Sequence, residues 1–173
     1  LLRLLGLVKI LGVKNIVMPC VDQSALDNDE KIERIVKILR PIMSNFENAD
    51  VNLSLETDLH PRQFVKLLNN INSNKIKVNY DLGNSASKGF LVKEELNCYG
   101  SFISDVHIKD RKLNSGSTVL GTGDVNFDEF FSEFKKFNYN GPFIMQAFRD
   151  NEGIEIFKRQ YNFIKPYITN YYE

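Results

Sequence analysis

Short runs of β-branched and aromatic residues alternate with helix-patterned segments along the whole chain, and few architectures tolerate that rhythm. Residues 15–19, 51–55, 76–80, 102–108 and 143–146 read as strands, the first of them ended by Pro19. Helical patterns fill the intervals. Leu2, Leu5, Val8 and Leu11 share one face, and Gly12 is placed to stop that helix. Asp27, Asn28, Asp29 and Glu30 offer caps and first-turn acids to a helix whose apolar face runs from Ile32 to Ile42, with a kink expected at Pro41. His60 reads as the cap, and Pro61 as the first turn, of a helix over 64–71, and a weaker helix covers 91–99. Asn126 and Glu129 make a capping-box-like start for the helix carrying Phe127 to Phe137, and a last helix spans 152–167. Each strand–helix unit takes about thirty residues, as a crossover between parallel strands requires. The expected fold is α/β, a parallel sheet with helical crossovers, in a single domain over 1–173.

In such sheets the carboxyl ends of the strands face a common cavity, so polar residues there are the ones to weigh. Four successive strands end in Glu56, Asp81, His107 and Gln146, none of which a buried strand needs for itself. Two carboxylates, an imidazole and an amide oxygen form a mixed shell suited to one divalent ion, Mn²⁺, Mg²⁺, Co²⁺ or Zn²⁺, with positions left for water or substrate. A structural zinc site favours thiolates and a closed shell, and fits poorly. His107 lies in the densest such stretch, residues 105–111, where Asp105, Lys109, Asp110 and Arg111 accompany it.

Leu55-Glu56-Thr57, Tyr80-Asp81-Leu82-Gly83-Asn84, Val106-His107-Ile108-Lys109-Asp110, the run Gly121 to Phe127 and the run Tyr139 to Phe143 together resemble the xylose-isomerase-like TIM barrels. Within that group they are most similar to sugar-phosphate isomerases and epimerases of the phosphorylated-ketose 3-epimerase type. The resemblance implies a (β/α)8 barrel of which this chain supplies roughly five βα units, strands four to eight, because a whole barrel takes about 250 residues. It implies metal ligation by Glu56, Asp81 and His107, with Gln146 at the fourth ligand position, where the family carries a glutamate. It further implies proton abstraction next to a carbonyl through a metal-stabilised enediolate, with Glu56 and the residue at 146 as the acid–base pair. An amide lends its oxygen to a metal but takes no proton at neutral pH, so Gln146 turns the expectation from two-base epimerisation toward isomerisation.

Lys109, Arg111 and Arg149 are candidates for holding a phosphate or carboxylate of the substrate, with Asn84 as a further contact. Ordinary surface pairing explains Lys109 and Arg111 equally well, and Asp110 reads as a residue that supports the site or the local structure, with pairing to one of those cations left open. Gly121 and Gly123 resemble a phosphate-cradling turn, though a tight turn alone accounts for them. Cys20 reads as a buried free thiol, and the phenylalanines from 127 to 137 as core.

The 22 basic and 22 acidic side chains cancel, which argues against a dedicated nucleic-acid or membrane-surface protein. Residues 1–10 are too short and too charged to span a bilayer and lack the pattern of a signal peptide. Two cysteines without a zinc-knuckle spacing suit a reducing, cytoplasmic setting. The start without Met suggests the later part of a longer chain; otherwise exposed sheet edges would favour a homo-oligomer. The expected partner is a small sugar or sugar phosphate. A second reading is a barrel without catalysis that serves as a binding or regulatory subunit, and an endonuclease of the same barrel type is disfavoured by a total of two histidines.

Overall fold

The apolar runs settle into a five-stranded parallel sheet, in the order β1-β2-β3-β4-β7. The structure is a computed structural model, and it describes every residue except Glu152 and Glu173, and every described side chain except those of Lys9 and Tyr172. The strands are β1 (Asn15–Cys20), β2 (Asn52–Thr57), β3 (Ile76–Asp81), β4 (Ile103–Ile108), the short β5 (Asp110–Arg111) and β6 (Ser117–Thr118), and β7 (Phe143–Met145). The helices are α1 (Leu2–Leu11), α2 (Asp29–Leu39), α3 (Met43–Ala49), α4 (Pro61–Ile71), α5 (Leu82–Lys88), α6 (Val92–Tyr99), α7 (Phe127–Phe134) and α8 (Ile154–Tyr172). All five expected strands are present, in parallel pairs that set Pro19 against Glu56, Leu55 against Val78 and His107 against Ile144.

Two compact units divide the chain, Leu1–Asn79 with Phe102–Ser104, and Tyr80–Ser101 with Asp105–Glu173. The first has an aliphatic core. Leu53 and Leu55 on β2, Leu67 and Leu68 on α4 and Leu39 on α2 are all buried, as strands of a helix-covered parallel sheet require. Pro19 does not end β1, which continues to Cys20. As the first strand in the sheet order β1 is an edge, where a missing N–H costs no ladder bond. The expected helix to Ile42 stops at Leu39, because Pro41 has no N–H to continue the ladder. Arg40–Ile42 turns as a 3₁₀ helix before α3 resumes, and the Arg40 guanidinium caps α4 by donating from Nε to the Asn70 carbonyl at 2.8 Å. His60 caps α4 as expected, its Nδ1 accepting from the Arg62 N–H at 3.4 Å.

The second unit is aromatic. Phe127, Phe130, Phe131 and Phe134 on α7 are buried, and Phe134 packs on Tyr139 with ring centroids 4.8 Å apart, so the stripe is core as its helical spacing implied. The expected start of the last helix at Glu152 lies outside the described residues. Beneath the aromatic layer a buried carboxylate, Glu95 on α6, accepts hydrogen bonds from the Tyr80 and Tyr99 hydroxyls at 2.6 Å each and from the Ser85 hydroxyl. Burial raises the Glu95 pKa above the ordinary 4.5, and the three hydroxyls offset only part of that. A carboxyl whose folded pKa is raised contributes stability that is complete below its ordinary pKa and is lost as pH rises through the folded value. Wild-type stability in denaturant titrations is therefore expected to fall, relative to Glu95→Gln, as pH increases from about 4.5. Parallel curves for the two proteins would contradict this.

Candidate active site

Glu56 lies near the end of β2, in the first unit, and is buried. Cys20 ends the neighbouring strand with a buried free thiol whose pKa is pushed up first by burial and then by the Glu56 charge. Cys20 is the buried free thiol that the sequence suggests, and it is less readily ionised than an ordinary one.

The other expected residues belong to the second unit. Asp81 ends β3 and also caps α5, a helix that the apolar pattern does not mark: its Oδ1 accepts the Asn84 N–H at 2.8 Å. That leaves Oδ2 aimed at His107, whose Nδ1 is 3.7 Å away, and at Lys109, whose Nζ is 3.3 Å away. A carboxylate split in this way holds local structure with one oxygen and offers the other to a cation. His107 is buried near the end of β4, flanked by Val106 and Ile108, whose side chains are fully buried.

Lys109 does not point away to solvent. Its ammonium donates to Asp81 Oδ2, to Asn84 Oδ1 at 3.3 Å and to Gln146 Oε1 at 3.1 Å. Arg111 donates from Nη1 to the same Asn84 oxygen at 2.8 Å and from Nε to the Ser115 carbonyl at 2.7 Å. Asn84 is thus an acceptor shared by two cations. Gly83 permits this approach, since a Cβ there would lie 2.7 Å from Lys109 Cγ. Gln146 follows β7, beside Lys109 and not opposite His107, and its backbone N–H donates to the Ile108 carbonyl at 3.0 Å.

Asp110 takes the structural of its two expected roles and pairs with neither Lys109 nor Arg111. It is fully buried, and its carboxylate accepts from the N–H groups of Gly121 at 2.8 Å, Gly123 at 2.9 Å and Val125 at 3.2 Å. The Gly-x-Gly turn does cradle an anion, but the anion is the protein's own side chain. Two short strands that the sequence pattern did not indicate, β5 and β6, pair antiparallel on either side of residues 112–116. Arg149 is exposed on the wall of a cavity of about 660 Å³ that Lys109, Gln146, Ser117 and Phe148 also line. Nothing in the sequence singled out Ser117 or Phe148, because neither sits in a motif.

The parallel sheet, its helical crossovers and the polar strand ends define an α/β protein of the TIM-barrel type. Residues 1–167 match the family model of the xylose isomerase-like TIM barrel, and the chain belongs to that family. It is 33% identical over 87 residues to SgbU of Haemophilus influenzae, named as an L-ribulose-5-phosphate 3-epimerase; the match covers 46% of this chain and 30% of that protein's length. Two solved structures share the fold. The IolI protein with a zinc atom superposes with a TM-score of 0.77 at 19% identity, over 96% of this chain and 68% of that one. A xylose isomerase-like TIM barrel protein from Mycobacterium smegmatis in complex with magnesium gives 0.74 at 17% identity, over 98% of this chain and 66% of that one.

Proposed function

We propose that the protein is a divalent-metal-dependent isomerase or epimerase of a sugar or sugar phosphate, with Glu56, Asp81 and His107 as metal ligands. The observation that carries this reading is that buried Asp81 and His107, at the ends of β3 and β4, bring Oδ2 and Nδ1 within 3.7 Å of each other, and Glu56 is proposed as their companion from its buried place near the end of β2. The donor set suits the group, since carboxylate oxygens with one imidazole and no thiolate select Mn²⁺, Mg²⁺, Co²⁺ or Zn²⁺. The sugar-phosphate epimerase name of the Haemophilus influenzae relative supports the substrate class. A bound ion of this kind polarises a substrate carbonyl and so acidifies the adjacent C–H.

Glu56 is the proposed base, taking the proton from the carbon beside the carbonyl and returning it. Gln146 is proposed as a fourth ligand through Oε1, and its amide holds no proton to give from the opposite face. Arg149, on the cavity wall, is proposed for the substrate phosphate, with Lys109, Arg111 and Asn84 as further contacts. One carboxylate moving one proton between adjacent carbons suits isomerisation better than inversion.

In deuterated water with Mn²⁺ and a ketose 5-phosphate, the wild type is expected to exchange the proton next to the carbonyl. Gln146→Glu is expected to raise inversion relative to isomerisation, read by NMR of the products. A second reading, a binding or regulatory barrel, draws on Gln146 alone. Silence of both proteins in the exchange assay would favour it and overturn the enzyme.

A further inference from the structure

We propose that Lys109 is a built-in competitor of the divalent ion: its ammonium holds Asp81 Oδ2 and Gln146 Oε1 and must leave them when metal binds. The proposal rests on the metal reading of the preceding section. Its observations all lie on β3, β4, β7 and the residues that follow them. Lys109 Nζ is 3.3 Å from the one Asp81 oxygen that is not committed to capping α5, and that same oxygen faces His107 Nδ1 at 3.7 Å. Its third contact is Gln146 Oε1 at 3.1 Å, the oxygen offered as fourth ligand. The lysine side chain is 16% exposed, so little water screens it from a second cation.

A divalent ion on Asp81 Oδ2 would stand beside a positive charge already bonded to that oxygen. Like charges so close repel strongly in a partly buried site. The flexible four-carbon stem gives Lys109 a way out, and the cavity it lines with Arg149 gives it a place to go. Loading the metal then delivers a second cation to the wall where an anionic substrate group is expected, so metal precedes substrate. An ammonium that merely braced the ligands would instead be needed for affinity. The two roles predict opposite signs.

Mn²⁺ binding by calorimetry separates them. Lys109→Met and Lys109→Gln are expected to bind Mn²⁺ about tenfold or more tighter than wild type, while Lys109→Arg, which keeps the charge, stays as weak as wild type. Far-UV circular dichroism confirms that each variant is folded, and either neutral variant suffices. In the wild type, amine-reactive labelling of Lys109 read by mass spectrometry is expected to rise on adding Mn²⁺. Unchanged or weaker binding by the neutral variants overturns the proposal. If His107→Ala fails to weaken Mn²⁺ binding by the wild type, the metal reading itself falls; if it weakens binding and the neutral variants are no tighter, only the role of Lys109 falls.

Discussion

His107→Ala is expected to weaken Mn²⁺ binding by on the order of a hundredfold or more, since groups that merely orient a ligand are worth about 10–100-fold. Asp81 allows the ligand role to be separated from the structural one. Its Oδ1 caps α5 through the Asn84 N–H, and Asn is as good an N-cap as Asp. Asp81→Asn should therefore keep the cap while losing the charge that binds metal and the ion pair with Lys109. Asp81→Ala should lose the cap as well, which leaves it about 1 kcal/mol less stable than Asp81→Asn. Calorimetric Mn²⁺ titration alongside denaturant unfolding reads the two quantities independently. An Asn variant that is more stable than the Ala variant yet keeps wild-type Mn²⁺ affinity would make Asp81 a helix cap and nothing more.

The second large effect is structural. Asp110→Ala removes a fully buried carboxylate and strands the N–H groups of Gly121, Gly123 and Val125. Each unsatisfied buried donor costs about 1–3 kcal/mol, so a loss on the order of 3–5 kcal/mol is expected. At 2–4 °C per kcal/mol for a domain of this size, Tm should fall by about 10 °C. Gly123→Ala should do comparable damage from the other side of the same contact, because its Cβ would sit 2.1 Å from Asp110 Oδ1 and 2.8 Å from the Arg111 carbonyl oxygen. Gly116→Ala is the control, with nothing within 4 Å of its Cβ. Scanning calorimetry of the three variants checks the ordering; an Asp110→Ala protein as stable as Gly116→Ala would refute the cradle.

How much of this was legible before any coordinates depended on how local each cause is. The five sheet strands were readable because each is a short apolar run set between helix-patterned segments, and Asn126 with Glu129 marked α7 by a local cap. Helix α5 was not readable. Its residues Gly83, Asn84, Ser85 and Ser87 are poor helix formers, and it stands because Asp81 caps it and the stems of Lys109 and Arg111 pack over Gly83. The partners of Asp110 lie 11, 13 and 15 residues onward, so a pairing with adjacent cations gave way to a turn that sequence spacing does not reveal. The same holds for Lys109, whose acceptors are 25 to 37 residues away. Strand-end position identified which residues to suspect, whereas which oxygen each of them offers emerged only from the folded chain.

Anomalous diffraction from a crystal grown with Mn²⁺ decides whether Glu56, Asp81 and His107 hold one divalent ion, as proposed. The expected result is a single strong peak within ordinary coordination distance, about 2.0–2.3 Å, of a Glu56 oxygen, an Asp81 oxygen and a His107 nitrogen, with Lys109 Nζ withdrawn from Asp81. A peak elsewhere, or none while Lys109 still holds Asp81, would contradict it.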